Sequence, residues 1–149
     1  MRDHDDPRPP RGAVREIHDL TSAVALTYAP DLDGLADPGE IVWSWVPYED
    51  DPARGKDRPL LLVGRHGRRL LGVMLSSRTP DEHHGHDWLE IGPGPWDRQN
   101  RPSYARVDRI FELDEHDIRR EGAILPPARF TEVAAALQKR YGWRIQRDH

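Results

Sequence analysis

The stretches "RPLLLVG" (58–64) and "RRLLGVMLSS" (68–77) flank the short Gly-containing turn "RHG" and read as the two strands of a hairpin. Both are apolar in the middle and polar at the ends far from the turn, where packing alone would not select arginine or serine. Counting outward from a turn centred at His66 or Gly67 brings Arg58 opposite Ser76, or within one residue of it, with Asp57 alongside. Directly opposed residues in an antiparallel pair have Cα atoms about 4.5–5.5 Å apart. A slip of one residue would turn one of the two to the other face. A guanidinium presents two N–H groups to the oxygens of a phosphate, and a serine hydroxyl adds a third donor. Pro59 holds Arg58 in an extended conformation, and as the first residue of a strand it costs no interior ladder bond. Arginine stays protonated, so its role is to stabilise charge and not to transfer a proton. Asp57 is then the candidate base. Taken alone, the three residues read first as a rim ion pair of Arg58 with Asp57 beside a strand-end serine.

Other residue groups carry chemical possibilities of their own. "WDRQNRPSYAR" sets Trp96 and Tyr104 among Arg98, Arg101 and Arg106, a mixture suited to stacking bases and following a single-stranded nucleic-acid backbone. The same aromatics equally suit a loop tucked against the core. Lys56, Ser77 and Arg78 flank the hairpin's polar end and join the candidate nucleic-acid contacts. Arg109 shares strand parity with Val107 and Phe111, so it either enters a cleft or is turned outward by a bulge. His83, His84 and His86 invite a metal reading, but adjacent histidines on one loop fit poorly where zinc takes ligands from separate elements. A loop histidine acting as proton donor is the better use of a side chain that titrates near neutrality. No metal or other cofactor is expected.

These residues need elements to position them. The chain has 149 residues, enough for one domain with a sizeable core. It has no cysteine, which removes disulfides, thiolate metal sites and a cysteine nucleophile. No apolar run is long enough for a membrane helix, and the acidic, Pro-rich start does not read as a signal peptide, so a cytoplasmic protein with no membrane partner is expected. The net charge of −4 conceals an asymmetry: residues 1–40 hold 4 Arg against 9 Asp and Glu, while the remainder is nearly balanced. Residues 1–12 read as disordered, and "AVREIHDLTSAVALTYA" (13–29) has apolar residues at helical spacing, Val14, Ile17, Leu20, Val24 and Tyr28. A linker dense in Asp, Gly and Pro follows. The division is an acidic extension over 1–37, peripheral and screening a basic groove, and a domain over 38–149.

In that domain "IVWSWVP", the hairpin, "WLEIG" and "ARVDRIFEL" read as strands. A short helix is expected to open at Asp114, with Asp117 three residues on. "PPARFTEVAAALQKRYG" is the clearest helix, with Phe130, Val133, Leu137 and Tyr141 on one stripe and Gly142 at its end. About five short strands followed by helices suggest a mainly β fold, a small barrel with helical decoration.

"DPGEIVWSWVPYEDDPARGKDRPLLLVG" resembles the opening of the MazF/PemK toxins, in which an acidic-apolar strand and a variable loop lead to an Arg-Pro strand. "LLGVMLSS" resembles the family strand that ends in Thr or Ser, and "WLEI" with "PSYARVDRIFELD" the later strand pair. The resemblance spans roughly 38–140. It implies an SH3-like barrel, a homodimer, and a toxin that cuts single-stranded RNA (mRNA) without a metal and is restrained by a cognate antitoxin protein. It further implies that the catalytic Arg is Arg58 and the catalytic Thr/Ser is Ser76, with Asp57 or Asp51 for an acidic partner. The alternative keeps the barrel without catalysis: a protein-binding module, as in gyrase poisons with a Trp-containing tail, to which "YGWRIQRDH" with Trp143 is faintly similar.

Overall fold

A computed structural model describes residues 5–6, 14–17, 25–27, 36–66, 69–80 and 85–146. In chain order the strands are β1 (Asp5–Asp6), β2 (Arg15–Ile17), β3 (Ala25–Thr27), β4 (Glu40–Pro47), β5 (Gly55–His66) and β6 (Arg69–Ser76). They continue with β7 (Trp88–Gly92), β8 (Ser103–Arg106), β9 (Ile110–Leu113) and β10 (Arg119–Ile124). The helix α1 (Pro127–Tyr141) and β11 (Arg144–Gln146) complete the order. The central order is β10-β4-β5-β6-β8-β7, every neighbour antiparallel.

Continuous apolar runs mark strands buried on both faces, and alternation along β5 and β6 sorts their side chains between two cores. Leu61, Val63, Val73 and Leu75 join Ile41 and the helix residues Phe130, Val133, Ala134 and Leu137. Leu60, Leu62, Leu70 and Met74 point the other way, towards Val42, Val46, Phe111 and Leu113. Strand β6 pairs with β9 through Leu70–Gly72 and with β8 through Leu75 and Ser76, so the sheet curls about it into the small SH3-like barrel expected. Proline opens α1, and Gly142 closes it in the left-handed region (φ 76°), donating its N–H to Gln138 O at 2.8 Å.

Four elements differ from expectation. "ARVDRIFEL" is two strands, because the chain turns at Val107–Asp108 between β8 and β9. Asp114 caps only a single 3₁₀ turn, accepting from the His116 N–H at 3.0 Å, and the chain then pairs with β4 as β10. That strand is fastened by the bidentate ion pair of Arg120 with fully buried Glu40 (2.6 and 2.8 Å), which also raises the Arg120 pKa. The expected helix over 13–29 is replaced, where the chain is described, by extended segments: β2 pairs with β9, and β3 with β5 and β11. Exposed strand edges offered partners that outweigh weak helical periodicity. Leu20, Val24 and Tyr28 lie outside the described residues. Lastly, within the stretch read as disordered, Asp5 and Asp6 form β1 against Lys56 and Gly55.

Candidate active site

The register of the hairpin decides whether Arg58 and Ser76 meet. At the turn end His66 faces Arg69, one residue later than a centre at Gly67 would put it. An irregularity between Leu62 and Gly64 then inserts one extra residue in β5, and beyond it Leu60 faces Met74. The bulge cancels the offset. Arg58 and Ser76, each two residues further out and on the face of Leu60 and Met74, lie just beyond the last paired residues of the two neighbouring strands. Pro59, which has no N–H, sits inside β5 where its recorded pairing with β6 stops. Gly55, at the start of the strand, has no space for a side chain: a Cβ there would meet Val46 O at 2.4 Å and the Trp45 ring at 2.6 Å.

Arg58, Met74 and Ser76 line one cavity of about 580 Å³. Its other walls come from Pro47 at the end of β4 with Tyr48, Glu49 and Asp50 after it, Arg78–Pro80 after β6, and Trp88, Arg106 and Arg109. Four arginines therefore face two carboxylates, Glu49 and Asp50, an arrangement that favours an anion. Ser76 Oγ accepts the Arg78 backbone N–H at 3.1 Å. A hydroxyl engaged at its oxygen still has its proton to donate.

Arg106 and Arg109 leave the chain on either side of the turn between β8 and β9. Arg106 is clamped by Asp108 at 2.6 and 3.1 Å, meets Glu49 at 2.9 Å, and lies 5.6 Å from the centre of the Trp88 ring. Burial works against its charge, but Asp108 and Glu49 outweigh that and hold its pKa above the ordinary value. Arg109 is inward-facing: its Nη2 donates to Glu16 at 2.8 Å and to Pro47 O at 3.1 Å, and it lies 4.9 Å from the Phe111 ring centre.

The remaining sequence candidates lie elsewhere. Asp57 points to the face of β5 opposite Arg58 and pairs with Arg119 at 2.7 Å, outside the cavity. Lys56 is exposed beside β1, and Ser77 follows the end of β6 without lining the cavity. Trp96 is buried in the helix-side core and donates its indole N–H to Ser103 Oγ at 2.9 Å, so its ring has no face for a base. Arg101 is held by Asp97 at 2.8 and 3.1 Å, and neither it nor exposed Arg98 reaches the cavity. His83 and His84 lie outside the described residues. Among the described residues no group of three His, Cys, Asp or Glu side chains is placed to hold a metal ion. Trp88, Glu49 and Asp50 are cavity residues that sequence reasoning did not reach. Only the pairing of Trp88 with Arg106 across β7 and β8 would have pointed to the first of them.

Comparison with known proteins places the chain in a family. The sequence profile of the PemK-like, MazF-like toxin of type II toxin–antitoxin systems matches residues 37–140. A solved endoribonuclease in complex with its cognate antitoxin, from a Mycobacterial species, is 19% identical with a TM-score of 0.52, covering 70% of this chain and 93% of that one. A second Mycobacterial endoribonuclease is 20% identical with a TM-score of 0.47, covering 72% and 92%. No curated protein matches. With the profile spanning the barrel, the cavity and α1, the chain belongs to the PemK-like, MazF-like toxins of type II toxin–antitoxin systems.

Proposed function

We propose that the protein is an endoribonuclease that cleaves single-stranded RNA in the Arg58–Ser76 cavity by attack of the RNA's own 2′-hydroxyl. The observation that carries this is that Arg58 and Ser76, on neighbouring strands, line one cavity together with three further arginines. The attacking 2′-oxygen forms a bond to phosphorus and the P–O5′ bond breaks, giving a 2′,3′-cyclic phosphate and a 5′-hydroxyl. Negative charge gathers on the non-bridging oxygens during this step. Arg58 answers it with two N–H groups, Ser76 with its hydroxyl, and Arg109 as a fixed charge in the wall. Guanidinium groups thus supply the positive charge, and the reaction needs no metal. A proton must leave the 2′-hydroxyl and another must reach the 5′-oxygen; Glu49 and Asp50 are the carboxylates on the cavity wall. Family membership supports an antitoxin as protein partner and a two-fold dimer as the working assembly.

The test is incubation of the purified chain with an unstructured RNA in EDTA, followed by analysis of the ends. Products bearing 2′,3′-cyclic phosphate and 5′-hydroxyl ends are expected. Intact RNA, or 5′-phosphate ends, would overturn the reading.

A further inference from the structure

Arg109 is a buried charge whose counter-charge comes from outside the region shared with the family. Its side chain is 5% exposed, and Glu16 of β2, 2.8 Å away, is the carboxylate recorded against it among the described residues. Glu16 precedes the family match, which begins at residue 37. Antiparallel pairing of β2 with β9, with Glu16 opposite Phe111, brings it there. The guanidinium is held from several sides. Nη2 is taken by Glu16 and by Pro47 O, Nη1 faces the sulfur of Met74 at 3.7 Å, and the Phe111 ring lies against it. Among the described residues its buried Nε has no hydrogen-bond partner. Such an orphan is uncommon in a packed core and, on a cavity wall, leaves an N–H able to take a water or a ligand oxygen.

Glu16 has two conceivable relations to the cavity. A carboxylate inside it would compete with the phosphate, whereas one behind Arg109 would hold the cation in place. Arg109, Met74 and Pro47 line the cavity and Glu16 does not. We propose that Glu16 is a positioning residue: the N-terminal strand clamps Arg109 from behind and fixes its charge in the wall that faces the phosphate. The N-terminal segment thereby completes the active site. A buried guanidinium without its carboxylate would draw in water or swing outward, and a displacement of about 1 Å in such a group is enough to cost about 10²-fold in rate.

The inference rests on the ribonuclease reading, and the experiment separates the two. Cleavage of an unstructured RNA oligonucleotide is measured with the full chain, with Glu16→Gln, with Arg109→Met, and with the double variant. Methionine keeps bulk beside Phe111 and Met74 without leaving a buried charge, so the fold is retained, and melting curves check this. Glu16→Gln is expected to lower kcat by about ten- to a hundredfold while KM changes by less than about threefold. Glu16→Asp recovers part of the loss, and Glu16→Gln has no further effect in the Arg109→Met background. Wild-type or faster cleavage by Glu16→Gln overturns the proposal, and so does an equal loss from that change in both backgrounds. If the unaltered chain fails to cleave RNA, the ribonuclease reading falls and takes this one with it; an active chain indifferent to Glu16→Gln removes this one alone.

Discussion

Arg119 donates to Asp57 at 2.7 Å on the face of β5 that turns away from Arg58, and its guanidinium also lies 5.8 Å from the centre of the Trp43 ring. Neighbouring residues on a strand face opposite sides of the sheet, so the position that aims Arg58 into the cavity excludes Asp57 from it. Asp57 has the surroundings of a surface ion pair joining β5 to β10. Such pairs contribute about 0.2–1 kcal/mol. Asp57→Asn should therefore leave cleavage within about twofold of the wild-type rate and lower stability by no more than about 1 kcal/mol. A loss of two orders of magnitude in kcat would return Asp57 to the chemistry.

The N-terminal segment yields a graded truncation experiment. Val14 is buried in the core that contains Phe111, and Arg15 and Glu16 pair with Glu112 and Arg109. Burying a valine contributes about 1.5–3 kcal/mol, so removal of residues 1–37 should lower the melting temperature by more than about 5 °C. Removal of 1–13 spares these contacts and should shift it far less. Equal melting of both truncated forms and the full chain would show that β2 contributes nothing to the domain.

Tyr141 anchors the turn that carries Arg106 and Arg109, donating its hydroxyl to Val107 O at 2.7 Å. Burial is the main reason its phenol is pushed up to about 12. A folded pKa above the unfolded value of about 10 gives stability that is complete below pH 10 and lost as pH rises towards 12. Tyr141→Phe should be less stable at pH 7 by about 0.5–1.5 kcal/mol, and its disadvantage should shrink between pH 10 and 12. Denaturant titrations of both proteins at several pH values measure the gap. A constant gap would mean that the phenol is not protected.

The sequence carried the hairpin and the helix because each rests on a local rule: alternation, and helical spacing with a Gly stop. Counting from the turn reaches the observed Leu60–Met74 pairing only through two compensating departures, a later turn centre and the bulge between Leu62 and Gly64. Asp57 needed only the alternation rule to be set apart from Arg58. Strand β10 was hidden because "RREG" is polar, and it is held by a buried carboxylate, Glu40, 80 residues away. Trp96 and Trp88 show the limit for aromatics. Each sits among charged residues in sequence, but only packing decides that Trp96 enters the core while Trp88 borders the cavity.

The central prediction concerns the two residues at the hairpin's end. If Arg58 and Ser76 hold the phosphate, losing either should change rate far more than stability, since both line the cavity and neither belongs to a core cluster. Arg58→Ala should lower cleavage by about 10²–10³-fold, the scale for removing a preorganised charge-stabilising donor. Ser76→Ala should cost less, because a neutral hydroxyl is the weaker partner. Ser77→Ala should be nearly silent, since Ser77 lies outside the cavity lining. Trp96→Phe should lower stability and leave KM for RNA unchanged, as the indole N–H bonds to Ser103 and not to substrate. Triple alanine replacement of His83, His84 and His86 should retain cleavage in EDTA. Should EDTA abolish cleavage while Arg58→Ala remained active, the phosphate would not be held by the hairpin, and the chemistry would belong to the histidine loop.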